Sequence, residues 1–269
     1  MTERILKDFD IVMIHRSGQC FRMEQTGEHT CTVIAGDRCI EILQEGERCC
    51  FSCEEEEFEG FWKPYFDLDR DYGKVKREID GQDTYLKEAA EKGWGIRILR
   101  QDLWEMIVSF LISQQNHIPR IRRCIRNICE RYGEKKTAPN GVVYYGFPSP
   151  QALSQASEEE LRACNLGYRS KYVRKSAEQV IQKDVDLTEI KKMDYQEAKQ
   201  ELLKLYGVGE KVADCICLFA LHHLEAFPVD THIRQALEKH YPQGFPDSRY
   251  PGIQGILQQY IFYYELFFT

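Results

Sequence analysis

The chain has 269 residues, enough to bury a sizeable core as one large domain or as two to three smaller ones. Its formal net charge of −7 counts against wholesale electrostatic binding of nucleic acid, so a DNA partner would have to be held by a local basic face. Its eleven irregularly spaced cysteines, without a signal peptide or a run of about eighteen apolar residues, favour reduced thiols in a cytosolic protein without a membrane span.

The N-terminal part of the chain has the pattern of an antiparallel β-meander. Short β-rich runs separated by glycine-containing turns predict strands at residues 9–15, 20–24, 30–34, 39–43 and 48–53. The acidic run 54–57 predicts a solvent-exposed segment where the chain leaves the sheet. Cys49, Cys50 and Cys53 have no second cysteine or histidine pair at ligand spacing, so we interpret them as strand and loop thiols and predict no iron–sulfur cluster.

From residue 62 onward the pattern is helical. Short helical pieces are predicted at 67–72, 73–79 and 84–92, and Asp102 with Glu105 is a capping box that opens an apolar helix. That helix ends in the polar cluster 113–117, which is either a cap and turn or a set of hydrogen-bonding groups aimed into a cleft. Ser157 with Glu160 is a second capping box, and the aromatic last helix, 256–268, is predicted to lie mostly in the core.

Two groups of basic side chains stand out in this acidic chain. Charge runs are usually solvated faces, but one group surrounds the turn 167–169 with its aromatic residue, as a nucleic-acid-facing surface would. The groups are Arg120, Arg122, Arg123, Arg126 and Arg131, and Arg162, Arg169, Lys171, Arg174 and Lys175.

Residues 205–230 carry the pattern most suggestive of chemistry. A glycine hairpin, 207–209, runs into a helix of about twelve residues from Glu210, with Lys211 in its first turn. The following loop can return Asp230, a predicted helix N-cap, to the side of Lys211. Taken alone, the lysine would be interpreted as a surface residue and the aspartate as an ordinary helix cap. Together, at the positive end of a helix dipole, they suggest a nucleophilic amine with a carboxylate beside it.

The hairpin, the lysine and the segment Pro228-Val229-Asp230 resemble the signature of the helix–hairpin–helix DNA glycosylase superfamily. Six further motifs resemble the 8-oxoguanine DNA glycosylase family, in that family's order and over nearly the whole chain. They lie at residues 17–22, 99–102, 116–120, 145–149, 166–169 and 211–215.

The resemblance implies an α+β fold with an N-terminal antiparallel β-sheet domain over residues 1–94. Two all-α subdomains would follow within residues 95–269, with the helix–hairpin–helix motif around 203–214 and the active cleft between the subdomains. It also implies a monomer that needs no cofactor, although a monovalent cation held by hairpin carbonyls is common in the family. The location implied is the cytoplasm, at the nucleoid in a prokaryote.

The implied activity is that of a bifunctional glycosylase and β-lyase acting on double-stranded DNA with oxidised guanine. The damaged nucleotide is flipped out, because its C1′ atom cannot be reached inside the stack. Lys211 would attack C1′ and form a Schiff base that permits β-elimination. Asp230 would stabilise the positive charge that develops on the sugar.

The resemblance also implies which residues read the lesion and hold the DNA. Gly18 would accept a hydrogen bond from N7–H, a proton that guanine lacks. Cys215 and Phe262 would sandwich the base, and Gln258 would read its Watson–Crick edge. The DNA contacts implied are Gln115, Asn116 (inserted into the vacated stack), Arg120 and Arg169 (reading the opposite cytosine), Tyr168 (a wedge), His232 (a phosphate contact), and Gly207 and Gly209 (the hairpin phosphate grip).

Two positions depart from the family pattern: Gln115 replaces an asparagine, and Tyr206 replaces the hairpin proline. Two alternatives stay open at this point. One is a helix–hairpin–helix glycosylase with another damaged-base specificity, and the other is a non-catalytic DNA-binding module that uses the hairpin as a phosphate clamp.

Overall fold

The computed structural model describes all 269 residues and confirms the α+β class. A five-stranded antiparallel sheet has the order β1-β5-β4-β3-β2, and a separate two-stranded sheet pairs β6 with β7. The strands are β1 (Thr2–Ile5), β2 (Met23–Gln25), β3 (Thr30–Ala35), β4 (Arg38–Glu45), β5 (Arg48–Phe51), β6 (Lys135–Thr137) and β7 (Val143–Tyr145).

The strands β2 to β5 form the predicted meander, with one face buried. Along β3 the side chains of Cys31, Val33 and Ala35 point into the core while their neighbours are half-buried, the alternation that a one-sided sheet requires. Gly36 turns β3 into β4 at φ +58°, a conformation that glycine adopts without strain. Cys49 and Cys50 lie in β5 and Cys53 follows it, and all eleven cysteines are free.

The strand predicted at 9–15 is wrong. Residues 11–16 form helix α1 (Ile11–Arg16), because the Asp10 side chain caps it by accepting a hydrogen bond from Met13 N at 2.8 Å. Ile11 and Ile14 are fully buried on its inner face. The strand that the pattern missed is β1, a four-residue edge strand that pairs with β5.

The acidic run 54–57 is also different from the prediction. It begins a continuous helical segment made of α2 (Glu55–Glu57), a π-helical turn (Phe58–Trp62) and α3 (Lys63–Tyr65). Carboxylates are favourable in a first helical turn, because it is the positive end of the helix dipole. Phe58 and Trp62 are buried against the sheet, so the segment covers the core instead of leaving it.

The rest of the chain is mostly helical, and none of its helices is both long and apolar enough to cross a membrane. Of the predicted piece 67–72, only the last residue is helical. The helices are α4 (Tyr72–Glu78), α5 (Thr84–Lys92), α6 (Leu103–Ser113), α7 (Ile118–Tyr132), α8 (Pro150–Gln155), α9 (Glu158–Ala163), α10 (Arg169–Gln182), α11 (Leu187–Ile190), α12 (Tyr195–Leu202), α13 (Glu210–Phe219), α14 (Thr231–His240) and α15 (Gln254–Phe267), with a 3-10 turn at Asp247–Arg249.

The two predicted capping boxes have different outcomes. Ser157 and Glu160 form both reciprocal hydrogen bonds at the start of α9. Asp102 does cap α6, accepting from Glu105 N at 2.9 Å, but the Glu105 carboxylate turns away. It forms a buried ion pair with Arg22 at 3.1 Å and accepts from Gly36 N at 3.0 Å, which ties α6 to the sheet.

Two hydrophobic clusters form the core. The smaller contains 18 buried residues, mainly from the sheet, α1 and the segment 55–66, and the larger contains 53 residues, most of them in the helices. Helices α4 and α5 contribute to the larger cluster although they precede residue 94. The division into 1–94 and 95–269 stays a prediction.

Candidate functional site

The glycine hairpin stands at the start of α13, as predicted. Gly207 has φ +89°, and a Cβ there would lie 2.6 Å from the Tyr172 ring, so only glycine fits. Gly209 is the N-cap of α13, and no side chain bonds to the first N–H groups of that helix. These N–H groups are orphan donors at the positive end of a helix dipole, which is an arrangement suited to a phosphate.

Lys211 lies in the first turn of α13, half-buried, with its amine 5.5 Å from the centre of the Phe110 ring. One helical turn later is Cys215, which is buried. Burial raises the pKa of the Cys215 thiol to about 11, although the nearby Lys211 amine acts to lower it and the Asp230 carboxylate acts to raise it. The three side chains therefore share one site, and Cys215 presents a neutral thiol there at neutral pH.

Asp230 is the N-cap of α14, as predicted, and accepts a hydrogen bond from Ile233 N at 2.9 Å. The loop before it is anchored by α15, because Gln258 donates from Nε2 to the carbonyl of buried Pro228 at 3.0 Å. Gln258 is itself buried and accepts from Gln259 Nε2 at 3.2 Å. Gln258 therefore holds the loop that carries Asp230, in addition to the base-reading role predicted for it.

Gly18, Phe262 and His232 come together although they are far apart in sequence. Gly18 has φ +76°, and a Cβ there would lie 3.0 Å from Phe262 Cε1 and 3.9 Å from Ile118 Cδ1. The ring centres of Phe262 and His232 are 6.0 Å apart, edge to face. The half-buried Phe262 and the backbone of Gly18 form adjoining surfaces on which a flat ring could stack.

The groups predicted to contact the opposite base surround the end of α6. Tyr168 is 47% exposed, as a wedge would be. Arg169 is only 3% exposed: it donates from Nε to the carbonyl of Gln114 at 2.8 Å and from Nη2 to that of Gln115 at 2.9 Å. Its guanidinium thus holds the loop after α6.

Gln115 and Asn116 differ in exposure. Gln115 is exposed and has φ +46°, so it forms the tip of the loop. The Asn116 amide is half-buried, donates to Ile112 O at 3.0 Å and accepts from His117 N at 3.1 Å. Insertion of Asn116 into the DNA stack stays a prediction, but in this structure Gln115 is the side chain that projects.

The predicted basic groups are only partly available to DNA. Ion pairs neutralise four of their members: Arg126 with Glu24, Arg131 with Glu160, Arg162 with Glu158, and Arg174 with Glu178. Arg122 donates from Nη2 to the carbonyl of His15 at 3.0 Å. Like Arg122, five further members form no ion pair, and they lie in the first turns of α7 and the first half of α10: Arg120, Arg123, Arg169, Lys171 and Lys175.

Sequence reasoning missed several side chains that build the site. Gln114 donates to the carbonyl of Gly207 at 3.0 Å, which joins the loop after α6 to the hairpin. Phe110 lies under the Lys211 amine. The position of Gln114 within the polar cluster 113–117 was a sequence signal for its role in the site. Nothing in the apolar pattern of α6 distinguishes Phe110 from its neighbours.

The fold and these side chains define a class: a helix–hairpin–helix protein with a lysine at the start of the second helix and an aspartate capping the next. Residues 4–107 match the family model of the 8-oxoguanine DNA glycosylase N-terminal domain. Residues 108–246 match that of the HhH-GPD superfamily of base excision DNA repair proteins. The chain belongs to that superfamily and, within it, to the 8-oxoguanine DNA glycosylase family, as its motifs predicted.

Individual relatives agree with this assignment. The 8-oxoguanine glycosylase/lyase of Clostridium acetobutylicum in its apo-form is 38% identical, with a TM-score of 0.91 over 97% of this chain and 94% of that chain. The structure of its complex with double-stranded DNA containing cytosine opposite 8-oxoG is 37% identical. It has a TM-score of 0.90 over 96% of this chain and 92% of that chain. The curated relatives include an N-glycosylase/DNA lyase of Saccharomyces cerevisiae, 36% identical over 55% of this chain and 42% of that protein. A probable N-glycosylase/DNA lyase of Methanothermobacter thermautotrophicus is 30% identical over 87% of this chain and 83% of that protein.

Proposed function

We propose that this protein excises 8-oxoguanine from duplex DNA, preferably opposite cytosine, and then cleaves the abasic strand by β-elimination. The observation that carries the proposal is the shared site of Lys211, Cys215 and Asp230 at the start of α13, where the hairpin also leaves backbone donors free for a phosphate. The Clostridium relative, described as an 8-oxoguanine glycosylase/lyase, supports the choice of lesion.

The chemistry follows from the amine. The neutral amine of Lys211 attacks C1′ of a flipped nucleotide, and the bond between C1′ and the base breaks as the base leaves with its electron pair. The nitrogen then loses a proton and the C1′–O4′ bond breaks, with O4′ taking the electron pair and a proton, which leaves an open-chain Schiff base. That Schiff base withdraws electrons from the sugar, so that C2′ loses a proton and the 3′ phosphate departs with its electron pair. Asp230 stabilises the positive charge that forms on the sugar during the first step.

Lesion recognition would occur on the opposite surface of the site. The Gly18 carbonyl accepts from N7–H of the oxidised base, the base lies between Cys215 and Phe262, and Gln258 reads its Watson–Crick edge. His232, whose ring is packed edge-on against Phe262, would contact a phosphate. The neutral Cys215 thiol suits a stacking surface, since a thiolate there would be repelled by the phosphates of the DNA.

Recognition of the opposite base would fall to the loop after α6. Gln115 projects from it, Tyr168 projects beside it from the turn before α10, and Arg120 and Arg169 supply donors for cytosine. Because Arg169 is bonded to two carbonyls of this loop, its guanidinium would exchange those bonds for contacts with the base when DNA binds. Gln115, as the projecting side chain, is our candidate beside Asn116 for filling the vacated stack.

The proposal is tested by single-turnover excision from duplexes that carry 8-oxoguanine opposite each of the four bases. We expect excision opposite cytosine to be faster by about tenfold or more, because each well-formed side-chain contact to a base edge discriminates by about 1–3 kcal/mol. Equal excision opposite all four bases would contradict the reading of cytosine by Arg120 and Arg169.

The same assay with borohydride separates the alternatives. A covalent adduct with 8-oxoguanine duplex supports the lyase, and no adduct with the native protein rejects it. Excision of a different lesion with no action on 8-oxoguanine would favour another specificity, and binding without excision would favour a non-catalytic module.

An aromatic row beside the hairpin extends the proposed DNA surface. The rings of Tyr168, Tyr172 and Tyr206 are spaced at 5.6 and 5.7 Å, and Tyr206 is 38% exposed. The amines of Lys171 and Lys175 lie 5.6 and 4.9 Å from the centre of the Tyr206 ring. The two lysines therefore hold the ring that replaces the family's proline, and their charges are free for phosphates.

We expect the double variant Lys171→Ala/Lys175→Ala to bind undamaged duplex with a weaker salt dependence. The slope of log K against log salt should fall in magnitude by about 2, because each neutralised phosphate contributes about 0.9. The matched control is Arg162→Ala/Arg174→Ala, which removes two cations that are already paired with glutamates. If both variants change the slope equally, the aromatic row has no special part in binding.

Further properties of the family belong to this proposal. We propose that the protein acts as a monomer without a cofactor, in the cytoplasm, or at the nucleoid in a prokaryote. No three His, Cys, Asp or Glu side chains are grouped so as to hold a metal ion. A monovalent cation at the hairpin would be held by backbone carbonyls.

A further inference from the structure

The segment that carries Gly18 is fixed by the side chain of Gln19, which is fully buried. Its Nε2 donates to Ser17 Oγ at 2.8 Å and to Arg97 O at 2.9 Å. Its Oε1 accepts from Leu99 N at 2.8 Å. Both donors and the acceptor of this amide are therefore used within the protein, and they hold the backbone on both sides of Gly18.

A second buried glutamine connects this segment to the catalytic helix. Gln101 donates from its side-chain Nε2 to the carbonyl of Gln19 at 2.9 Å. Its backbone N donates to the carbonyl of Phe219, the last residue of α13, also at 2.9 Å. Gln101 thus links the residue after Gly18 to the helix that carries Lys211.

Packed aromatic rings make the same connection through apolar contacts. Phe110 lies with its ring centre 5.7 Å from that of Phe21, which follows the Gly18 segment, and 5.7 Å from that of Phe219. The Lys211 amine sits 5.5 Å from the same Phe110 ring. The lesion-reading segment and the amine therefore share one rigid support.

We propose that Gln19 and Gln101 are positioning residues that hold the Gly18 carbonyl at a fixed place relative to α13. The inference rests on the proposed function, because it concerns how the lesion is read at that site. A hydrogen bond to N7–H tolerates only a few tenths of an ångström, so a displaced carbonyl would cease to distinguish 8-oxoguanine from guanine. Strand cleavage at a site that has already lost its base does not use this carbonyl.

The test is the ratio of two activities in Gln101→Met, which removes the donor to Gln19 while keeping the volume of the side chain. We expect excision of 8-oxoguanine to fall by about tenfold, since the variant leaves a buried acceptor without a partner and frees the Gly18 segment. Cleavage of a preformed abasic site, measured on the same preparation, should change by less than about twofold.

Gln44→Met is the matched control, because Gln44 is another buried glutamine. Its amide bonds to Phe9 O, Ile11 N and Gly46 O, at 2.8–2.9 Å, away from the Gly18 segment. A merely structural role for Gln101 predicts that both variants lose both activities in proportion to their loss of stability, which thermal unfolding measures. That outcome would overturn the inference.

Ser17→Ala keeps the inference testable if Gln101→Met does not fold. It removes one acceptor of the Gln19 amide and should shift the ratio of excision to cleavage in the same direction, by about threefold. An unchanged ratio in Ser17→Ala contradicts the inference. If the native protein neither excises 8-oxoguanine nor cleaves abasic DNA, the proposed function fails; if only the ratio is unaffected by the variants, the positioning role fails alone.

Discussion

Replacing Lys211 with glutamine is expected to abolish covalent trapping by borohydride and strand cleavage. The amide has no nucleophilic lone pair, so neither attack on C1′ nor a Schiff base is available to the variant. Excision of 8-oxoguanine should fall by on the order of 10³-fold or more, which is the scale of losing a nucleophile. The measurement is single-turnover kinetics on 8-oxoguanine duplex, with gel detection of the adduct.

The structure predicts that this loss is chemical and not a loss of fold. Lys211 is half-buried and its amine lies 5.5 Å from the centre of the Phe110 ring, so the thermal midpoint of Lys211→Gln should stay close to that of the native protein. Lys191→Gln, at the exposed end of α11, removes the same charge elsewhere and should leave trapping intact. A trapped adduct with Lys211→Gln would show that another amine is the nucleophile.

The catalytic helix was predictable because its information is local. The hairpin glycines, the helix from Glu210 and the cap at Asp230 each depend on neighbours within a few residues, and all three are present in the structure. The helix is ten residues long instead of about twelve, because the chain leaves helical geometry after Phe219. A difference of two residues at a helix end is smaller than the spacing of apolar residues in a sequence can resolve.

The failed predictions arose where local preference competes with tertiary context. Residues 9–15 are rich in β-forming side chains, but Asp10 caps a helix whose apolar side chains are buried against the sheet. The acidic run at 54–57 looked solvated because its apolar partners, Phe58 and Trp62, come only afterwards. In the first case the decisive residue lies within the run, but it acts through a capping hydrogen bond that β-propensity does not count. In the second case the decisive residues lie after the run.

The distant hydrogen-bond partners of the residues that support the site could not be predicted. Gln114 reaches Gly207 across 93 positions, and Gln101 reaches Gln19 across 82. A buried glutamine in a sequence gives no indication of which distant carbonyl it will meet, because that depends on the whole packing. The sequence therefore located the groups proposed to do the chemistry and left out those that hold them in place.

Gly18→Ala is expected to have the second largest effect, on lesion excision and not on lyase chemistry. The added Cβ would lie 3.0 Å from Phe262 Cε1, at a residue whose φ of +76° already disfavours any side chain. Relief requires a shift of either the Phe262 ring or the Gly18 backbone, which are the two surfaces proposed to hold and read the base. A displacement approaching 1 Å at a reacting site costs about 10²-fold, so we expect a loss of that order in 8-oxoguanine excision.

The matched control for Gly18→Ala is Gly46→Ala. Gly46 has φ +63°, but no atom lies within 4 Å of the position its Cβ would occupy, so this variant has the same backbone strain without the contact. Both variants should lose stability by about 1–2 kcal/mol, the cost of a left-handed conformation for alanine. Only Gly18→Ala should lose excision while retaining cleavage of preformed abasic sites. Equal excision by the two variants would mean that Gly18 is a turn glycine, and the lesion would then have to be recognised elsewhere in the cleft.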